Sequence, residues 1–215
     1  MKTYAFVFAT FLLSGSLGAQ VVNGGFETPA PPSGSYTLYN SGGSIGGWDV
    51  VGTGNVAVVS GSFAQNGISF GAQSGAAWLD LTGLSNSAAG VQQSIATSPG
   101  TAYDVSFWVG NVVNPSGIFG TTSTVVNVNG GTSFTAVNSG GVGTNALFWQ
   151  QFTTSFVASS ASTTISFTNG DASSDNSNGL DNVSVSAQST VPEPTSVALL
   201  ATGLIGLVPM IRRKR

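Results

Sequence analysis

Apolar and polar residues alternate with a period of two through most of this chain. In TAYDVSFWVG, Tyr103, Val105, Phe107 and Val109 share one parity, and Asp104, Ser106 and Trp108 take the other. FWQQFTTSFVA places Phe148, Phe152 and Phe156 on one face with Gln150 and Thr154. TTISFTN turns Ile165 and Phe167 inward, and LDNVSVSA does the same with Val183 and Val185. Such alternation predicts strands with one face in a core and one toward water. Gly, Ser and Asn clusters separate the runs, as turns require. TVVNVNGGTSFTAV reads as two strands around a tight Asn129-Gly130-Gly131 turn. No helical stripe appears between Val21 and Ala187. About ten short strands at this spacing predict an all-β, antiparallel β-sandwich or jelly roll.

The two ends break this pattern. At the start, Lys2 precedes an apolar stretch from Tyr4 to Leu13, and small residues run from Ser14 to Ala19. That order predicts a signal-peptide helix over residues 1–19, cleaved near Gly18 or Ala19. The alternative is a buried N-terminal helix. At the other end, Thr195–Ile211 is 17 residues long and uncharged. At 1.5 Å per residue it spans roughly 25 Å, enough for a thin bilayer. The predicted organisation is a signal peptide at 1–19, a body at 20–188, and a C-terminal segment at 189–215. That last segment holds a transmembrane helix at 195–211 and a basic tail at 212–215, which stays cytoplasmic.

Charge placement sharpens this reading. The five cations are Lys2, Arg212, Arg213, Lys214 and Arg215, all at the extremes, and there is no His and no Cys. The body carries only carboxylates, so nucleic acid finds no cationic surface. A Ser or Cys nucleophile has no imidazole base. A carboxylate pair is the one catalytic device left. Asp49, Asp80 and Asp104 each sit in a strand beside apolar neighbours, and no pair is marked out. The chain is therefore expected not to be an enzyme.

Pro192-Glu193-Pro194, the apolar helix and the terminal RRKR resemble the PEP-CTERM sorting signal. That resemblance implies export to the cell envelope, surface or extracellular space, with an exosortase as processing partner and the membrane as a temporary anchor. The alternative is a plain membrane anchor with a coincidental PEP. The body's ordered motifs are VVNGGFETP, IGGWDVVGTGNVAVV, SGAAWLDLTG, AGVQQSIATSPGTAYDVSFWVGN, FWQQFTTSFVASSASTTISFTN and GLDNVSV. Together they resemble galactose-binding-domain-like jelly rolls of the choice-of-anchor C type and, more distantly, carbohydrate-binding modules.

Glu27, in the GGFE of the predicted first strand, and Asp181, in the last, can converge in such a fold. The resemblance implies that the pair holds a structural calcium ion. With no Lys or Arg nearby, a hard cation suits it. The alternative is that each carboxylate caps local backbone N–H groups. The loop NGDASSDNSNG offers Asp171, Asp175, Asn176 and Asn178 but lacks the EF-hand spacing, and reads as solvated. The sequon at Asn182 lies in the predicted final strand and is uninformative. Aromatic faces can stack on sugars. Trp108 and Trp149 oppose the core parity and are candidate platforms for carbohydrate. Tyr36 and Tyr39, in a predicted loop, are candidate rim residues, whereas Trp48 and Trp78 are expected in the core. These readings converge on an exported, non-catalytic surface or matrix protein that contacts extracellular polysaccharide. Two alternatives stay open: a dedicated carbohydrate-binding module with a defined glycan site, and a purely structural envelope protein.

Overall fold

The computed structural model describes residues 19–84, 87–113, 122–128, 133–171 and 177–188. The predicted signal peptide up to residue 18, the Asn129–Gly131 turn, Asp175, Asn176, the PEP motif, the apolar helix and the basic tail lie outside the described residues. Every element among the described residues is a strand. They are β1 (Tyr36–Asn40), β2 (Ser44–Ile45), β3 (Trp48–Gly52), β4 (Asn55–Ser60), β5 (Ala64–Gln65), β6 (Ile68–Ser69) and β7 (Ala77–Asp80). Then follow β8 (Ala89–Ala96), β9 (Ala102–Asn111), β10 (Thr122–Val128), β11 (Ser133–Asn138), β12 (Phe148–Val157), β13 (Ser162–Asn169) and β14 (Gly179–Ala187).

Two six-stranded antiparallel sheets face each other, in the orders β1-β4-β7-β14-β9-β12 and β11-β10-β13-β8-β3-β2. The small β5-β6 hairpin forms a third sheet. This is the predicted antiparallel sandwich. The alternation read from the sequence sets its core. On β9, Tyr103, Val105, Phe107 and Val109 are buried, while Asp104, Ser106 and Trp108 are half-buried on the opposite face. Phe107 packs on Phe152 of its own sheet at 6.0 Å and on Phe167 of the other at 5.1 Å. Trp48 lies between Phe26 and Phe167, at 5.6 and 5.9 Å. Each such ring contributes about 1.5–3 kcal/mol on leaving water, so this aromatic seam anchors one sheet to the other.

Two departures from the expected pattern matter. The GGFE segment is not a strand. Asn23 and Phe26 take positive φ of 54° and 57°, which curls residues 23–28 into a loop before β1 begins at Tyr36. The second departure concerns β4 and β7, which are buried on both faces. Val56, Val58, Ala77 and Leu79 enter the main core, while Ala57, Val59 and Trp78 enter a separate outer cluster with Ile68, Phe70 and Val112. The unbroken apolar run VAVV on β4 is the signature of a strand covered on both sides. Its outer cover is the segment that contains the β5-β6 hairpin.

The described end of the predicted solvated loop is also not solvated. Asn178 is fully buried and accepts a 2.8 Å bond from Thr124 Oγ1. It donates a 2.9 Å bond to Asn169 Oδ1. A buried amide needs such partners, and these bonds join β10 and β13 to the start of β14.

Candidate functional site

The outer face of the β1-β4-β7-β14-β9-β12 sheet carries the chemistry. Strand pairing aligns Leu38, Ala57, Asp80, Gly179, Gly110 and Trp149 in one row across all six strands. The two glycines leave the sheet bare in the middle of the row. The Trp149 ring lies over them: a Cβ on Gly110 would come within 2.9 Å of it, and one on Gly179 within 2.8 Å. Trp149 Nε1 donates to Gly71 O at 2.9 Å, and Trp78 Nε1 donates to Phe70 O at 3.0 Å. Ring contacts run from Tyr36 to Phe63 at 5.7 Å, on to Phe70 at 5.5 Å, to Trp78 at 6.4 Å and to Trp149 at 5.8 Å. A continuous aromatic ladder thus pins residues 61–72 onto the sheet.

Two carboxylates hold the chain just beyond the hairpin. Glu27 Oε1 accepts from the backbone N–H of Ala76 at 2.9 Å and Ala77 at 3.2 Å. Asp181 Oδ2 accepts from Gln73 at 3.0 Å and Ser74 at 3.2 Å, and its Oδ1 from Asn182 at 2.6 Å. The strand makes this possible locally. A register shift between Asp181 and Ser184 puts Asn182 at φ 49°, so the peptide beside Asp181 turns back on its carboxylate. Val183 N–H then donates to Gly24 O at 2.9 Å, and this bond docks the Asn23–Thr28 loop against β14.

Gly25 marks where the two acids meet. A Cβ there would lie 3.7 Å from Asp181 Oδ1 and 4.0 Å from Glu27 Oε1. Burial pushes Asp181 up to about 7; its backbone hydrogen bonds oppose the rise, and the Glu27 charge adds to it. Three of the four carboxylate oxygens accept backbone N–H groups, so each acid caps backbone, and a hard divalent cation would share these oxygens. Among the described residues no group of three His, Cys, Asp or Glu side chains comes together. Further ligands would be neutral oxygens.

A groove opens on the same face at the β1 side. It encloses about 320 Å³ between Tyr36 and Leu38 of β1, Ala57 and Val59 of β4, Trp78 and Asp80 of β7, and the hairpin residues Phe63, Gln65, Asn66 and Phe70. Asp80 Oδ1 accepts from Thr82 Oγ1 at 2.6 Å, Thr82 N–H at 3.0 Å and Asn178 N–H at 3.4 Å. Burial pushes its carboxyl up to about 6, against the pull of these bonds. Sequence reasoning passed over Asp80 because its apolar neighbours signalled only a strand. The signal that was present is the pair Trp78 and Asp80, two residues apart on one face of a doubly covered strand.

The other candidates fall in different places. Tyr36 and Tyr39 lie on β1, not in a loop, and therefore on opposite faces. Tyr36 is at the groove rim, while Tyr39 packs against the main core. Trp149 is half-buried in the outer ladder, with its indole N–H taken by Gly71. Trp108 is half-buried on the outer face, in register with Asp181 and Gln151. Trp48 and Trp78 are buried, in the main core and the outer cluster respectively. Asp104 accepts from Gln188 Nε2 at 2.7 Å, and Asp49 is exposed on β3.

A family described as "Protein of unknown function (DUF642)" matches residues 19–186. The PEP-CTERM protein-sorting motif matches residues 190–215. No curated protein matches the chain in sequence. Among solved structures it is similar to a cyclase from Fischerella sp. TAU, with 17% identity, 79% of this chain and 97% of that one covered, and a TM-score of 0.56. It is also similar to the arabinose-bound MgGH51 α-L-arabinofuranosidase, with 14% identity, 80% and 27% covered, and a TM-score of 0.50. This chain thus spans about a quarter of that enzyme. A family 35 carbohydrate-binding module from Clostridium thermocellum aligns at 16% identity, 70% and 97% covered, with a TM-score of 0.42. At these identities the likeness to the cyclase and the arabinofuranosidase is one of fold.

Proposed function

The chain belongs to the DUF642 family and carries a PEP-CTERM signal that marks an exported, envelope-sorted protein, and from that premise we propose a non-catalytic surface protein that contacts extracellular polysaccharide. In this reading the signal peptide is removed, the apolar helix holds the chain in the membrane with its basic tail inside, and an exosortase processes the tail. The body is left outside as part of the matrix.

The observation that carries polysaccharide contact is Tyr36, at the rim of an aromatic-walled groove on an outer sheet face. Aromatic rims suit sugars because a flat ring meets the apolar face of a pyranose and its neighbours excludes water. The non-catalytic part is supported by the residue inventory, which holds no His or Cys. It is also supported by the separation of the two raised acids: Asp80 lines the groove, whereas Asp181 lies beneath residues 73 and 74. A calcium ion at Glu27 and Asp181 steadies the loop behind the groove. Its role is structural, and the two acids would supply its charged ligands.

The test is a thermal melt of the protein released from producing cells, with and without their own exopolysaccharide, in calcium and in chelator. A ligand that favours the folded state raises the melting temperature. A rise with polysaccharide is expected. An unchanged melt, together with no retention of the protein on that polymer, would leave only the structural envelope role.

A further inference from the structure

We infer that the groove between β1, β4, β7 and the β5-β6 hairpin is selective for a neutral polysaccharide, with Tyr36 stacking on a sugar ring and Asp80 accepting its hydroxyl hydrogens. This rests on the polysaccharide-contact reading and names its place and its ligand class.

The volume of about 320 Å³ is at the lower end of the range for small-ligand sites, so it takes a short segment of a chain. Half-buried Phe63 supplies apolar contact, buried Phe70 and Trp78 back the floor, and Leu84 stands exposed at the margin. Apolar contact alone does not orient a sugar. Asp80 does, because Thr82 Oγ1, Thr82 N–H and Asn178 N–H converge on its Oδ1 and the Gly83 N–H also faces the carboxylate. They fix the carboxylate at the groove wall, where it can accept ligand hydroxyl hydrogens. A charged acceptor held in advance makes a stronger bond than a neutral or mobile one.

Selectivity against acidic chains follows from what surrounds Asp80. Between Thr3 and Ile211 the sequence has no Lys, Arg or His. A uronate or sulfate entering the groove would meet the Asp80 carboxylate with no cation to offset it. Repulsion of like charges in a partly desolvated cleft is an effective means of exclusion. A neutral hexose or pentose polymer carries hydroxyl donors and no such penalty.

The experiment uses the full chain in detergent and follows retention in gels containing xylan, mannan, dextran or polygalacturonate. Tryptophan fluorescence is recorded alongside, since Trp78 lines the groove. At least one neutral polymer is expected to retain the protein, and polygalacturonate is not. Asp80→Ala and Tyr36→Ala should each weaken retention by about tenfold, the effect of losing roughly 1.4 kcal/mol. Val137→Ala, exposed on β11 of the other sheet, should leave retention unchanged.

Tyr36 is a rim residue, so its variant is readable even if Asp80→Ala fails to fold. If folded groove variants bind a neutral polymer as the parent does, the groove assignment is wrong and polysaccharide contact survives elsewhere. Retention by polygalacturonate as strong as by the neutral polymers overturns the selectivity. Retention by none of the four, nor by the native exopolysaccharide, overturns both readings. Self-association in sedimentation that Tyr36→Ala abolishes would make the groove an interface between copies, which also overturns the proposal.

Discussion

Asp181 and Asp80 project from the same outer face of one sheet, on neighbouring strands, and burial raises both carboxyls, to about 7 and about 6. Their surroundings differ. Three backbone N–H groups close on both oxygens of Asp181, and the Gln73–Ala77 segment lies over it. Asp80 is held by Thr82, Asn178 and Gly83 at the wall of a groove. A buried acid wrapped by the backbone of a covering segment fixes the chain, and one held at the wall of a groove is set to meet something else. Burial and a raised pKa alone would not separate these roles; the destination of each lone pair does.

Substitution should separate them most sharply. Asp181→Ala strands backbone donors in a buried setting, each costing about 1–3 kcal/mol. A fall in melting temperature on the order of 10 °C is expected by circular dichroism. Asp80→Ala strands two backbone donors as well, so its loss should be somewhat smaller, and it alone should also weaken polysaccharide retention. A loss of stability with retention unchanged would mean that both acids are structural.

The pH profile offers a second separation, smaller in size. Both carboxyls have an ordinary value of 3.8, and folding raises them. The folded state therefore holds protons that the unfolded chain has shed, and cation-free stability should fall as pH rises from about 4 through 7, then level off. A cation that needs ionised Asp181 reverses this. Added calcium should raise the melting temperature clearly at pH 8 and little at pH 5. An equal rise at both values would place the ion elsewhere.

The smallest effect tests the ladder that backs both sites. Gly110→Ala brings a methyl within 2.9 Å of the Trp149 ring. Overpacking of this kind costs about 1–3 kcal/mol. A few degrees of melting temperature and a shifted tryptophan emission are expected, with calcium response retained. Loss of that response would show that the indole and the carboxylate pair act as one unit.

Much of this was legible in the chain itself. The period-two parity of β9 and β13 assigned Phe107, Ile165 and Phe167 to the core. Alternation cannot say whether the second face of a sheet meets water, and here the β5-β6 hairpin covers it. That one fold-back moved Trp149 from a candidate platform into a packed ladder and turned Asp80 into a groove residue. Tyr36 and Tyr39 were misplaced together because loop-like composition hid a strand, and a strand splits neighbours of opposite parity. The convergence of Glu27 on Asp181 joins residues far apart in sequence. No local pattern contains it, and the family resemblance supplied it.

The position of β14 has a mechanical consequence. It lies inside its sheet, bonded to β9 along most of its length and to β7 at its start, and the sorting motif begins at residue 190, soon after it ends at Ala187. In the proposed anchored state, tension through the tail would fall on an interior strand, whose hydrogen bonds on both flanks would resist together. A protein moored by one end and gripping a polymer at the other would bear drag best through such a strand.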